Sequence, residues 1–296
     1  MLIKRGRLWP QLGLGLLVVS VLVGCTSVSG TGRKQFIIVT RAQEQALGLQ
    51  VWDLQLQQQK RSEDLEMKII LERVGRRIAT VADLDVQKSG SPPFDWELAL
   101  FQSEEVNAFC LPGGKVAIYT GILPVAENEA GLAAIIGHEV AHAVARHGAE
   151  RLSQAMAINM IARMASGAVG QHLPQYQGPI MNAFGLSTSL GIRLPFSREH
   201  ELEADYLGLV YMAKAGYDPK EAVPLWERMK AAAEKRGHRM PEFLSTHPNE
   251  KHRIDDFQQK MAEAETLYVS ASAHYGRGEW VFQPQPAPQG TKFVVR

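Results

Sequence analysis

The run Ile136-Gly137-His138-Glu139-Val140-Ala141-His142 constrains this chain more than any other stretch, because it lies among good helix formers that extend from about Glu127 to Leu152. Residues four apart on a helix share a face one turn apart, so His138 and His142 can offer two imidazole nitrogens to one metal ion. Glu139 then flanks the open coordination position. Zinc suits such a pair, since it takes imidazole ligands tetrahedrally and acidifies a water held in the fourth position. Leu132, Ala133, Ile135, Ile136, Val140, Ala141 and Val144 make the segment almost wholly apolar. Burying two histidines and a glutamate there without a partner would be unfavourable, which argues for a metal site over a chance pattern.

Ahead of this stretch, residues 1–24 place Lys4, Arg5 and Arg7 before an apolar run from Leu12 to Val23. That run is too short to span a bilayer and reads as a signal peptide. It ends Leu22-Val23-Gly24-Cys25, which resembles a bacterial lipobox, in which the cysteine becomes the lipidated first residue of the mature protein. The expected location is therefore the periplasmic face of the outer membrane, held by lipid on Cys25. Thr26 favours the outer over the inner membrane, because an inner-membrane retention signal would carry aspartate there. A formal net charge of +1 offers no basic surplus for nucleic acid. With Cys25 lipidated only Cys110 remains, so no intrachain disulfide is expected, and Cys110 reads as a small buried hydrophobe.

Composition divides the chain into a lipoprotein signal peptide (1–24), a flexible lipid tether with Gly30 and Gly32 (25–35), one catalytic domain (36–270) and a Pro/Gln-rich tail with Pro284, Pro286 and Pro288 (271–296). Apolar residues at three- and four-residue intervals predict two helices between Glu44 and Leu84, broken near Ser62. Strands are expected over Phe94–Leu100 and Lys115–Thr120, separated by Pro112-Gly113-Gly114. The fold class is α+β, mostly helical, with a small β-sheet beside the metal-binding helix. Ser153–Val169 reads as an amphipathic helix, and Gly178–Pro195 as a packed helix with a loop or as a mobile cover.

A hydrolytic zinc site usually takes three protein ligands. The acid-rich candidate is Arg198-Glu199-His200-Glu201-Leu202-Glu203-Ala204-Asp205, where Glu201 and Asp205 share a helix face and Glu199 and Glu203 point elsewhere. Glu201 could ligate while Asp205 accepts the second N–H of a ligating histidine. A solvated charged helix start is the alternative, since acids are favoured there.

The motifs His138-Glu139-x-x-His142 and Ser197-Arg198-x-x-Glu201-x-x-Ala204-Asp205 resemble those of peptidase family forty-eight of the metallopeptidases, the HtpX and prenyl-protein protease superfamily. Thr31-Gly32-Arg33, Asn107-Ala108-Phe109-x-Leu111-Pro112-Gly113-Gly114 and Thr246-His247-Pro248 resemble its periplasmic lipoprotein branch, over roughly residues 30–265. The resemblance implies a zincin-type (gluzincin) domain holding one zinc per chain on His138, His142 and Glu201, with Asp205 as supporting acid and Glu139 as general base. It implies a substrate-binding edge at Leu111, Pro112, Gly113 and Gly114 and the strand after them, which would take substrate backbone by β-augmentation. It also implies that His247, in an extended loop before Pro248, can act as a regulatory fourth metal ligand. Arg253, six residues on, is expected to face the site and help hold the oxyanion.

His147 lies five residues beyond His142, about 140° further round a continuous helix, and is therefore expected to be structural or exposed. His172, His200, His238, His252 and His274 are expected at the surface. The function that follows is a zinc metalloendopeptidase acting on polypeptides in the quality control of misfolded or misassembled outer-membrane proteins, with other envelope assembly proteins as partners. The alternative is a chaperone-like assembly factor using the same groove with proteolysis switched off.

Overall fold

The metal-binding helix spans Glu129–Val144 and starts at Asn128, whose side-chain oxygen accepts the Gly131 N–H at 3.0 Å while its amide donates to Glu221 at 3.0 Å. It stops at Arg146, which adopts φ +63°, a left-handed conformation that no helix continues through. An ion pair with Glu44 at 2.7 Å and a hydrogen bond to the Val39 carbonyl at 3.0 Å hold the Arg146 side chain in the break. A separate helix, His147–Ser166, then leaves in a new direction. The single helix expected from Glu127 to Leu152 is thus two.

The computed structural model describes residues 25–166, 196–235, 242–247 and 253–282. Residues 1–24, read above as a signal peptide, together with Gly178–Pro195, His172, His238, Pro248, His252 and residues 283–296, lie outside the described residues. A short antiparallel hairpin, β1 (Cys25–Ser27) and β2 (Lys34–Phe36), precedes the helices α1 (Arg41–Gln58) and α2 (Leu65–Lys88). Then come the strands β3 (Glu97–Phe101), β4 (Ala108–Leu111) and β5 (Lys115–Tyr119) and a single turn of helix, α3 (Leu123–Ala126). The metal-binding helix is α4 and the one after the break α5. Helices α6 (Arg198–Lys214), α7 (Ala222–Lys235), α8 (Glu242–Thr246) and α9 (Arg253–Val269) complete the domain.

The three-stranded sheet has the order β3-β5-β4, with β5 parallel to β3 and antiparallel to β4. The strand after Pro112-Gly113-Gly114 is therefore the centre of the sheet and cannot serve as a substrate-binding edge. The free edge toward the site belongs to β4. On one side the sheet and α4 share a core with α2 and α6, and on the other Trp52 of α1 packs against Phe101 and Phe109.

Residues 25–36 are not a loose tether. Arg33 pairs with Glu150 at 2.9 Å and with Glu203 at 2.7 Å, and Thr31 also donates to Glu203, so the hairpin is fixed across α5 and α6. Residues 271–282 likewise fold back. The backbone N–H groups of Glu279 and Trp280 donate to buried Glu129 at 3.0 and 3.1 Å, tying the end of the described chain to the start of α4.

Helices α4 and α6 cross at Gly137 and Gly208, and the close approach needs both glycines. A Cβ on Gly208 would sit 2.8 Å from the His138 backbone nitrogen. This crossing is what brings the acids of α6 to the histidines of α4. Gly208→Ala is expected to destabilise the fold by about 1–3 kcal/mol, because backbone meets backbone and no side chain can yield. A thermal melt matching the wild type would contradict this reading of the crossing.

Candidate metal centre and active site

Ser197 caps α6 by accepting the His200 N–H at 3.2 Å, which sets Glu201 in the first turn and Asp205 one turn later on the face toward His138. His138 Nδ1 lies 2.9 Å from Asp205 Oδ1, so the ring donates there and turns Nε2 inward. That Nε2 is 3.1 Å from His142 Nε2 and 3.1 Å from His247 Nδ1. Glu201 Oε1 approaches His142 Nε2 at 3.4 Å and His247 Nδ1 at 2.9 Å. One ligand atom from each of His138, His142, Glu201 and His247 lies within 4.8 Å of all the others.

This group fits zinc on its own chemistry. The four residues are only 3 to 4% exposed, and Glu139 Oε1 is buried without a hydrogen bond. Burial holds His138 and His142 well below the usual histidine pKa and so keeps both neutral. Burial also works against ionised Glu201, yet His247, His142 and Arg253 hold its carboxyl well below the ordinary value. Neutral imidazole nitrogens and a carboxylate converging in a dry site call for a cation, and this donor set is one that zinc takes.

Glu139 stands beside the group, with Oε1 3.4 Å from His247 Nε2. Burial pushes its pKa up to about 7, against the N–H that Cys110 donates from β4. The sheet edge therefore meets the base at Cys110. Of the residues expected at the edge, Leu111 ends β4 and so belongs to it, whereas Pro112, Gly113 and Gly114 form the turn that follows, where the Pro112 carbonyl packs against Gly48 of α1. Cys110 is buried and free, as expected.

Arg253 reaches the centre, but on the far side of His138. Its guanidinium donates to Asp205 at 2.5 Å, pairs with Glu201 at 3.2 Å and lies 3.6 Å over the Trp226 ring. A group engaged in this way orients Asp205 and Glu201, while its Nη1 is buried without a hydrogen bond. His247 does not sit in an extended loop either. Its N–H bonds the Phe243 carbonyl at 2.9 Å, closing the last turn of α8.

One histidine departs from expectation, and another takes the structural alternative expected for it. His200 is buried, donating its Nε2–H to Glu150 at 3.0 Å, and is not a surface residue. His147 is wholly buried, with Nδ1 2.8 Å from His142 Nδ1 and Nε2 2.9 Å from Glu203. His274 is exposed, as expected. Glu203, expected to point away, does so from the metal group yet is buried against His147. The sequence signal for this arrangement is weak, because the left-handed position at the break is Arg146 and the nearby glycine, Gly148, lies two residues beyond it.

A sequence profile described as Peptidase family M48 matches residues 71–261. The chain belongs to peptidase family M48. It is 38% identical over 207 residues to the mitochondrial metalloendopeptidase OMA1 of Schizosaccharomyces pombe, covering 70% of this chain and 57% of that protein. Identity is 34% over 248 residues with the mitochondrial metalloendopeptidase OMA1 of Saccharomyces cerevisiae, covering 80% and 69%. With the beta-barrel assembly-enhancing protease of Escherichia coli it is 26% over 194 residues, covering 64% and 39%. The chain thus spans between about a third and two thirds of the length of these M48 relatives. The described fold is a zinc metallopeptidase domain of the α+β class.

The outer-membrane location expected from Leu22-Val23-Gly24-Cys25 is overturned by these matches. The relatives of higher identity are mitochondrial proteins, and the bacterial one is more distant. A few residues before a cysteine are a weak signal beside similarity extending over some two hundred positions.

Proposed function

We propose that this M48 domain is a zinc-dependent endopeptidase that cleaves unfolded or misassembled polypeptides and is held off at rest by His247. The carrying observation is the Glu139 carboxylate, buried between the metal group and the edge of β4. His138, His142 and Glu201 would hold the metal, with Asp205 fixing the His138 ring. Bound zinc supplies a Lewis acid for the scissile carbonyl and lowers the pKa of the attacking water. Glu139 takes the proton from that water and returns it to the leaving amine, so the peptide bond breaks to a carboxylate and an amine.

A substrate paired with the edge of β4 would be read by its backbone, which favours extended chains over folded ones. The name of the E. coli relative, a protease that enhances β-barrel assembly, supports quality control of misassembled proteins as the setting. An assembly factor with proteolysis switched off is the second reading, favoured by the seat of His247 among the ligands. Casein cleavage by the purified protein is expected to stop with a chelator and return with zinc. Cleavage indifferent to the chelator would contradict the proposal.

A further inference from the structure

We propose that His147 is a positioning residue for His142, and that Glu203, with Thr31 and Arg33 of the N-terminal hairpin, holds it in place. The inference rests on the zinc reading only in taking His142 as a ligand. Its basis is a chain of hydrogen bonds whose directions are determined from one end. Glu203 Oε2 is a carboxylate oxygen and can only accept, so His147 Nε2, at 2.9 Å, carries the hydrogen. A neutral imidazole with hydrogen on Nε2 has a bare Nδ1, which must accept from what faces it. What faces it is His142 Nδ1 at 2.8 Å, which therefore carries a hydrogen and leaves the His142 Nε2 lone pair turned toward Glu201 and His138.

The relay depends on the helix break. In a continuous helix His147 would lie about 140° round from His142, but the left-handed residue Arg146 returns its ring to the back of His142. Further groups keep the relay in register. Arg33 Nε and the Thr31 hydroxyl both bind Glu203, and Arg33 also reaches Glu150 at 2.9 Å. Glu150 contacts His200 at 3.0 Å, and the His200 ring stacks on His147 at 4.3 Å and 18°. Glu150, His147, His200 and Glu203 are buried, and Arg33 is half-buried. Such partners behind a ligand commonly alter metal affinity 10–100-fold. The hairpin that precedes the domain in sequence is thereby part of the metal centre, and a pull on it would be felt at His142.

The test uses the full chain, with zinc affinity measured by chelator competition and the visible absorption of the cobalt-substituted protein as a second readout. His147→Leu is expected to bind zinc about 10–100-fold more weakly and to shift the cobalt bands. His147→Gln, whose amide can still accept from His142 and donate to Glu203, is expected to restore most of the affinity and the spectrum. A purely structural role would lower the melting temperature of the zinc-free protein and leave affinity and spectrum of the loaded protein unchanged, which would overturn the proposal. Should His147→Leu fail to fold, Arg33→Ala carries the test: weaker zinc binding supports the relay, and wild-type affinity overturns it. A wild-type protein that binds no zinc would overturn the underlying site reading instead.

Discussion

Glu139→Gln is expected to bind zinc as the wild type does and to cleave casein about 10²–10⁴-fold more slowly, the usual contribution of a positioned general base. The substitution conserves volume in a pocket where Glu139 is 3% exposed, so the fold has no reason to change. What it removes is a carboxylate placed to take a proton from water and give it back, while His138 and His142 are turned toward the metal group and Arg253 is engaged with Asp205 and Glu201. The pH profile gives a second measure. Burial raises Glu139 to about 7, so the carboxyl is protonated and inactive below that value and becomes competent as pH rises through it. The positive charge of bound zinc moves the limb to lower pH. The rate should therefore climb with pH along an acid limb ending at or below about 7, and the limb should be absent from Glu139→Gln. A variant retaining both rate and limb would place the base elsewhere.

His247→Ala is expected to keep zinc and raise basal cleavage at least about tenfold. The argument is one of access. Each of His138, Glu139, His142, Glu201 and His247 is nearly inaccessible, and the cavity behind His138, lined by Asp205, Trp226 and Phe257, holds about 10 Å³, scarcely room for one water. Movement of α8, whose last turn His247 closes, would open a way for a polypeptide to Glu139. Helix α8 is held to the rest by the Phe243 N–H on the Val106 carbonyl at 3.0 Å, by the Phe196 N–H on the Thr246 carbonyl at 3.0 Å, and by His247 itself. Val106 lies just before β4, so α8 stands over the edge that substrate backbone would use. If the open form is a minor one, populated at 0.1–10%, removing the imidazole that closes it raises the competent fraction by ten or more. Self-cleavage on storage, followed by gel, is the simplest readout, and a His247→Ala protein no more active than wild type would remove the switch.

What the sequence made legible follows from how local each signal is. His138 and His142 declare themselves because four-residue spacing is a property of one helix, and Glu201 with Asp205 repeats that logic on another. That the two helices meet could not be read from spacing, since it depends on Gly137 lying against Gly208. Strand β4 escaped because Ala108, Phe109, Cys110 and Leu111 are all apolar and buried and show no alternation. His147, Arg33 and the pair His200 and Glu203 are widely separated in sequence and come together through the break at Arg146, the packing of α6 and the docking of the hairpin. Their charges read as surface charges for want of visible partners. The tether and the beginning of the tail were misjudged in the same way, because small polar residues give no hint that Thr31, Arg33 and the Glu279 backbone have fixed acceptors.

The most direct test of the metal assignment is the zinc content of the purified full chain and its single variants, measured by elemental analysis after removal of loosely bound metal. The wild type, Glu139→Gln and His247→Ala should each hold about one zinc per chain, while His138→Ala, His142→Ala and Glu201→Ala should hold almost none. A Glu201→Ala protein that kept its zinc and its activity would contradict the account.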